Sequence, residues 1–176
     1  MRARNRLPER FLFTDERMGG DLWPALVALP RGSGVIFRHY HAPYRQALLE
    51  TAARICRRRG LLLIVAGTAL RWAGPRHRHR GMRPHPAILT ASAHSHADLW
   101  TARRSGAQLA FLSPVFATRS HDGAQPLGPV RFGQIARQSP VPVAALGGMT
   151  AQRYTRLREF GAAGWGAIDG LGRPNR

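Results

Sequence analysis

The side chains best placed for chemistry in this 176-residue chain stand where apolar runs stop. Gln108-Leu-Ala-Phe-Leu112 gives way to Ser113-Pro-Val-Phe-Ala-Thr118, Val141-Pro-Val-Ala-Ala-Leu146 to Gly147-Gly148, and Ala163-Gly-Trp-Gly-Ala-Ile168 to Asp169-Gly170. Earlier in the chain, Thr14-Asp15, Arg38 and Ser92-Ala-His94-Ser95 close similar runs. Hydrophobicity that is continuous rather than alternating fits strands of a parallel sheet covered on both faces. In such sheets the chemistry sits at the carboxyl ends of the strands. The formal charge of +18 makes a field that attracts small phosphorylated anions.

All 27 basic residues are arginine. Arginine codons are GC-rich and lysine codons AT-rich, so genome composition explains part of that bias. The densest clusters, Arg57-Arg58-Arg59 and Arg71 to Arg83, adjoin no aromatic platform and match no nucleic-acid module, so a nucleic-acid partner is not expected. Without lysine, a Schiff-base mechanism on this chain is excluded. No apolar run approaches the roughly 18 residues of a membrane helix, and the basic amino terminus lacks the apolar stretch of a signal peptide. The expectation is a cytoplasmic protein with no membrane partner. Cys56, alone and inside a helical pattern, reads as a small buried hydrophobe. The histidines at 77, 79, 85, 94, 96 and 121 lack paired spacing with carboxylates or cysteines, so no metal site is assigned to them. His77 and His79 read as a solvated loop, and His94 as a core hydrogen-bonder at its strand end.

The elements that must position these groups alternate. Strands are expected at Phe11–Asp15, Gly34–Arg38, Leu61–Ala66 and Ala87–Ser92, and in the three carboxyl-terminal runs, with a short fourth strand around His77–Met82. Helices are expected around Asp21–Leu29 with Asp21 as N-cap, at Tyr44–Arg59 closed by Gly60, at Ser95–Arg104 capped by Ser95, at Pro129–Gln138 and at Thr150–Phe160. Eight alternating units imply a compact (β/α)8 TIM barrel over residues 1–176 as a single domain, although that fold usually takes about 250 residues. The shortfall falls on a degenerate fourth unit, reduced to an arginine-histidine loop, and on the lack of a full eighth helix after Leu171. A flavodoxin-like open sheet is the rival architecture. The apolar surface left by the missing helix would suit a second subunit, making a homo-oligomer.

Thr14-Asp15, Ser92-Ala-His94-Ser95, Ser113 to Thr118 and Ala145-Leu-Gly-Gly-Met149, in that order, resemble the strand ends of the thiamine phosphate synthase and thiazole tautomerase superfamily. The resemblance is close from about Ala87 to Leu171. In the synthases it implies, hydroxymethylpyrimidine pyrophosphate loses pyrophosphate and the pyrimidine cation is captured by the nitrogen of a thiazole phosphate, a transferase step in thiamine biosynthesis. The partners are then small phosphorylated heterocycles. The resemblance assigns backbone N–H groups of Gly147 and Gly148, with Ile168, Asp169 and Gly170, to the thiazole phosphate. It assigns Arg38, Ser92, Thr118, Ser120 and His121 to the pyrimidine, its pyrophosphate and the catalytic loop.

The departures carry equal information. Of three polar residues expected on the second strand only Arg38 survives, flanked by Ile36 and Tyr40. Mg2+ is implied by the resemblance, but the Asn-Asp pair expected to end strand three is Ala66-Gly67, and the acid expected after strand four is replaced by Arg76-His-Arg-His-Arg80. His121 stands where a lysine is expected. A carboxylate at Asp169 would cost roughly 4 kcal/mol about 4 Å from a phosphate, so it either points away or is neutralised by Arg173.

Three activities fit this pattern: the synthase, a thiazole phosphate tautomerase using His121 or His94 because Pro114 stands at the expected histidine, and a non-catalytic barrel that binds thiazole or thiamine phosphate. Structural readings compete at single positions. Thr118 and Ser120 could organise a turn, Ser92 could cap a helix and Arg38 could be a solvated surface group. The paired glycines are hardest to explain without a ligand, because a strand-to-helix turn is expected to need at most one.

Overall fold

A computed structural model describes residues 7–79, 81–83, 85–118, 125–168 and 171. Eight strands run in chain order: β1 (Arg10–Phe13), β2 (Gly34–Phe37), β3 (Leu62–Ala66), β4 (Arg76–Arg78), β5 (Ile88–Ala93), β6 (Leu109–Leu112), β7 (Val143–Ala145) and β8 (Gly164–Ala167). Each pairs in parallel with its neighbour, and β8 pairs with β1, so the sheet closes into a barrel. Closure decides against the open sheet.

Alternation along the strands sorts the apolar residues into two layers. Phe11, Phe13, Ile36, Ile64 and Phe111 pack together inside the ring. Leu12, Val35, Phe37, Leu63 and Val65 face outward onto the helical layer. The phenylalanines meet edge-to-face, with Phe111 5.0 Å from Phe11 and 4.8 Å from Phe13, the geometry favoured by the ring quadrupole. Glycines on neighbouring strands make the room. A Cβ at Gly34 would collide with the Phe11 ring, and one at Gly166 would lie 2.6 Å from Phe13. Burying each phenylalanine contributes about 1.5–3 kcal/mol, so glycine in a strand is offset by the ring it admits.

Five helices lie outside: α1 (Leu22–Ala28), α2 (Arg45–Arg59), α3 (His96–Arg104), α4 (Gly128–Arg137) and α5 (Ala151–Arg158). The expected ends hold for three of them. Gly60 closes α2 in a left-handed conformation, and the Ser95 and Thr150 hydroxyls accept from the backbone N–H of Asp98 and Arg153 to start α3 and α5. Asp21 does stand at the N-cap position of α1, as expected, but with helical backbone angles and no side-chain cap, because it also ends a 3-10 turn, Glu16–Asp21; Asp15 caps that turn by accepting from Arg17 N–H. Cys56 is 1% exposed, as its place in the helical pattern requires.

The missing mass is distributed more widely than expected. Besides the fourth unit, the β3–β4 connection also lacks a helix; Leu70 is buried there, and Trp72 packs against the same outer cluster. Strand β4 begins one residue earlier and ends sooner than the expected His77–Met82. The expectation of a truncated eighth helix falls outside the described residues.

Candidate functional site

Barrel closure brings the carboxyl ends of all eight strands to one mouth. At β1, the Thr14 hydroxyl accepts from Arg38 N–H at 3.0 Å and pairs with His39 Nδ1 at 3.0 Å, joining β1 to β2 beyond their last ladder bonds. Asp15 then accepts from Arg38 Nη2 at 2.7 Å and from Arg17 Nε and Nη2 at 2.8 and 3.1 Å. The Arg17 hydrogen bonds foremost, with the Arg38 charge, hold the Asp15 carboxyl down at about 2 against the opposing effect of burial. Arg38 is therefore an ion-paired group at the rim and not a solvated surface arginine. Next to it, Glu16 accepts from the backbone N–H groups of Tyr40 and His41.

Inside the ring, the structure corrects the reading of the arginine-histidine segment. His77 is 1% exposed, packed edge-on against Phe13, with Nδ1 2.9 Å from Thr90 Oγ1 and Nε2 2.8 Å from Ser92 Oγ. Burial, with the nearby His79 and Arg38 charges, drives its pKa down to about 3. Ser92 thus belongs to β5 and to this network, and Ser95 is the helix cap. His79 is half-buried against the edge of Tyr40 at 5.6 Å. The signal that could have found His77 was the Arg-His-Arg-His alternation, which has the two-residue period of a strand.

Arg76 is the outward counterpart. Only 4% exposed, it donates from Nη1 to the Gly67 carbonyl at 2.6 Å and from Nη2 to those of Leu70 and Trp72 at 3.1 and 2.8 Å. A guanidinium ties down a connection that has no helix of its own.

The loop after β6 and the turn after β7 are in contact. Val115 N–H donates to the Leu146 carbonyl and Phe116 N–H to that of Gly147, and the Ser113–Pro114 peptide is cis. Gly147 and Gly148 both have positive φ, 91° and 60°. A Cβ at Gly147 would lie 2.8 Å from Pro114 Cα, and one at Gly148 2.5 Å from the Ala117 carbonyl oxygen. The turn therefore needs two glycines, not the one expected, and the chain itself supplies a reason for both. Arg153 donates to the Gly148 carbonyl, with its guanidinium 4.5 Å from the Phe116 ring centroid.

Thr118, half-buried, continues the β6 loop, and Ile168, half-buried, ends β8 against the inner core. Ser120, His121, Asp169 and Gly170 lie outside the described residues. His94 is exposed, so it is not a core residue, but it does hydrogen-bond at its strand end: Nδ1 lies 2.9 Å from the Ser113 carbonyl oxygen. Pro114, at the position where the tautomerase pattern has histidine, is buried.

The donor set does not fit the implied magnesium. Ala66 and Gly67 offer no carboxylate, Arg76 places a cation on the Gly67 carbonyl, and Asp15 is engaged by two guanidinium groups. Among the described residues no three His, Cys, Asp or Glu side chains group to hold a metal ion.

A closed parallel barrel with hydroxyl, guanidinium and glycine groups gathered at its C-terminal mouth defines a (β/α)8 protein. The family model described as thiamine monophosphate synthase matches residues 72–171, and the chain belongs to that family. It is 37% identical over 81 residues to the "Putative thiamine-phosphate synthase 2" of Aquifex aeolicus, a match spanning 46% of this chain and 44% of that relative. With the thiamine-phosphate synthase of a Synechococcus strain it shares 33% identity over 75 residues, 43% of this chain and 21% of the relative. The matches thus span less than half of either relative's length. The thiamine phosphate pyrophosphorylase structure from Pyrococcus furiosus shares the fold, with a TM-score of 0.77 at 22% identity over 97% of this chain and 90% of that one. No described helix is long and apolar enough to cross a membrane.

Proposed function

We propose that this chain joins hydroxymethylpyrimidine pyrophosphate to thiazole phosphate, giving thiamine phosphate and pyrophosphate. The carbon–oxygen bond to pyrophosphate breaks, its electron pair leaves with pyrophosphate, and the thiazole nitrogen forms the new bond to the pyrimidine methylene. One observation carries this reading: the β6 loop, Ser113 to Thr118, lies directly on the Gly147-Gly148 turn at the mouth of a closed barrel, within the stretch that matches the family. In this reading Gly147, Gly148, Ile168, Asp169 and Gly170 surround the thiazole phosphate. Arg38, Ser92, Thr118, Ser120 and His121 serve the pyrimidine and the leaving group. The protein's contribution is positioning and anion stabilisation, which suits a reaction whose bond breaking generates charge.

The test is product formation by the purified protein with both substrates, followed by chromatography with and without magnesium. Thiamine phosphate above background supports the reading, and its absence under both conditions overturns it.

A second reading is favoured by Ala66-Gly67 and the Arg76 contacts, which stand where metal-binding carboxylates are expected. In it the barrel binds thiazole phosphate without turnover. Calorimetry separates the two: a binder takes up thiazole phosphate and ignores the pyrimidine pyrophosphate, whereas the synthase binds both.

A further inference from the structure

The buried imidazole of His77 has both ring nitrogens engaged by hydroxyls, and counting hydrogens fixes which nitrogen carries the proton. Thr90 is fully buried, and His77 Nδ1, at 2.9 Å, is its side chain's partner among the described contacts. If Nδ1 carried the proton and donated to Thr90, the threonine hydroxyl hydrogen would be left buried without an acceptor. That arrangement is disfavoured roughly five- to a hundred-fold. The Thr90 hydroxyl therefore donates to Nδ1. A neutral imidazole then carries its hydrogen on Nε2, which donates to Ser92 Oγ at 2.8 Å. Ser92 has spent a lone pair on His77, so its own hydrogen is directed elsewhere. It lies two residues beyond Thr90 on the same face of β5, nearer the strand's carboxyl end, and is only half-buried.

We infer that Thr90, His77 and Ser92 form a one-way donor chain that presents the Ser92 hydroxyl hydrogen to the barrel mouth, making Ser92 a donor to an acceptor atom of the ligand. His77 is a positioning residue in this scheme, acting on the ligand through Ser92. The chain biases recognition. A ring nitrogen or a phosphate oxygen accepts the Ser92 hydrogen that His77 cannot take back, whereas a ligand N–H finds only the one lone pair that His77 leaves on Oγ. Complete burial keeps His77 neutral, so the direction of donation holds across the biological pH range. The assignment of the ligand rests on the proposed function; the direction of the chain does not.

The experiment is side-chain nitrogen-15 NMR of the intact, histidine-labelled protein, with the His77 signals assigned by their loss in His77→Gln. We expect Nδ1 to be of the unprotonated type and Nε2 of the protonated type, unchanged from about pH 5 to about pH 9. The opposite tautomer, an even mixture or a charged ring overturns the inference. Thr90→Val, nearly isosteric, removes the first donor and should convert the pattern to a mixture; an unchanged tautomer would also overturn it. In calorimetry with hydroxymethylpyrimidine pyrophosphate, Thr90→Val and Ser92→Ala should each weaken binding about three- to tenfold, and the double variant no more than Ser92→Ala alone. Additive losses in the double variant reject action through Ser92. Failure of the wild-type protein to bind this probe, with the expected tautomer in place, would reject the proposed function and leave the donor chain standing.

Discussion

Nη2 of Arg38 stands 2.7 Å from Oδ2 of Asp15, so the cation that ends β2 is held by the carboxylate that ends β1. Backbone pairing of Phe13 with Ile36 sets this meeting, because it brings the residues two further along each strand to the same rim. A phosphate bound at the rim would have to share Arg38 with Asp15.

Because the Asp15 carboxyl is lowered from its ordinary 3.8 to about 2, its contribution to stability is present above pH 3.8 and is lost as the pH falls through about 2. Arg17 is 58% exposed, so solvent screening reduces the value of its contacts. Asp15→Asn should destabilise the protein by about 1–2 kcal/mol at neutral pH, with the gap to wild type closing between pH 3.8 and about 2. Urea titrations across that range test this, and a gap independent of pH contradicts it.

Alanine at Gly148 must adopt a positive φ and also push on the Ala117 carbonyl. Gly106 has a positive φ of 84° with no atom within 4 Å of its absent Cβ, so Gly106→Ala measures the backbone cost alone. That cost is about 1 kcal/mol, and Gly148→Ala should exceed it by at least about 1–2 kcal/mol in thermal unfolding. Equal losses would mean that the close approach to the β6 loop has no energetic weight.

Arg76 supplies donors to three carbonyls of a helix-free connection. Arg76→Met should cost about 2–3 kcal/mol and speed hydrogen exchange in residues 67–75. Arg76→Lys should not restore the loss, since a compact ammonium cannot reproduce the planar fork. Full rescue by lysine would show that charge, and not geometry, is what the connection needs.

Burial pushes the Cys56 thiol up to about 12, far from the thiolate a disulfide reagent requires. The native protein should resist labelling at pH 8, and one thiol should react once urea unfolds it. Rapid labelling under native conditions would place Cys56 outside the helix-to-barrel interface.

Local chemistry was legible in the sequence, and pairing across strands was not. Ser95, Thr150 and Gly60 mark helix ends through bonds made within a few residues, and continuous apolar runs revealed seven strands. Asp15 and Arg38 lie 23 residues apart, and their meeting depends on strand register. Dense charge makes the segment around His77 resemble a solvated loop, although its alternation matches a strand with His77 inside and Arg76 outside. The paired glycines mark the turn after β7 in the sequence itself, but the close approach of the β6 loop that requires them comes from a different strand.

The three interlocked phenylalanine rings plug the barrel's centre. A molecule bound where Arg38 and Ser92 stand therefore finds no passage through the ring of strands and must leave on the side from which it came.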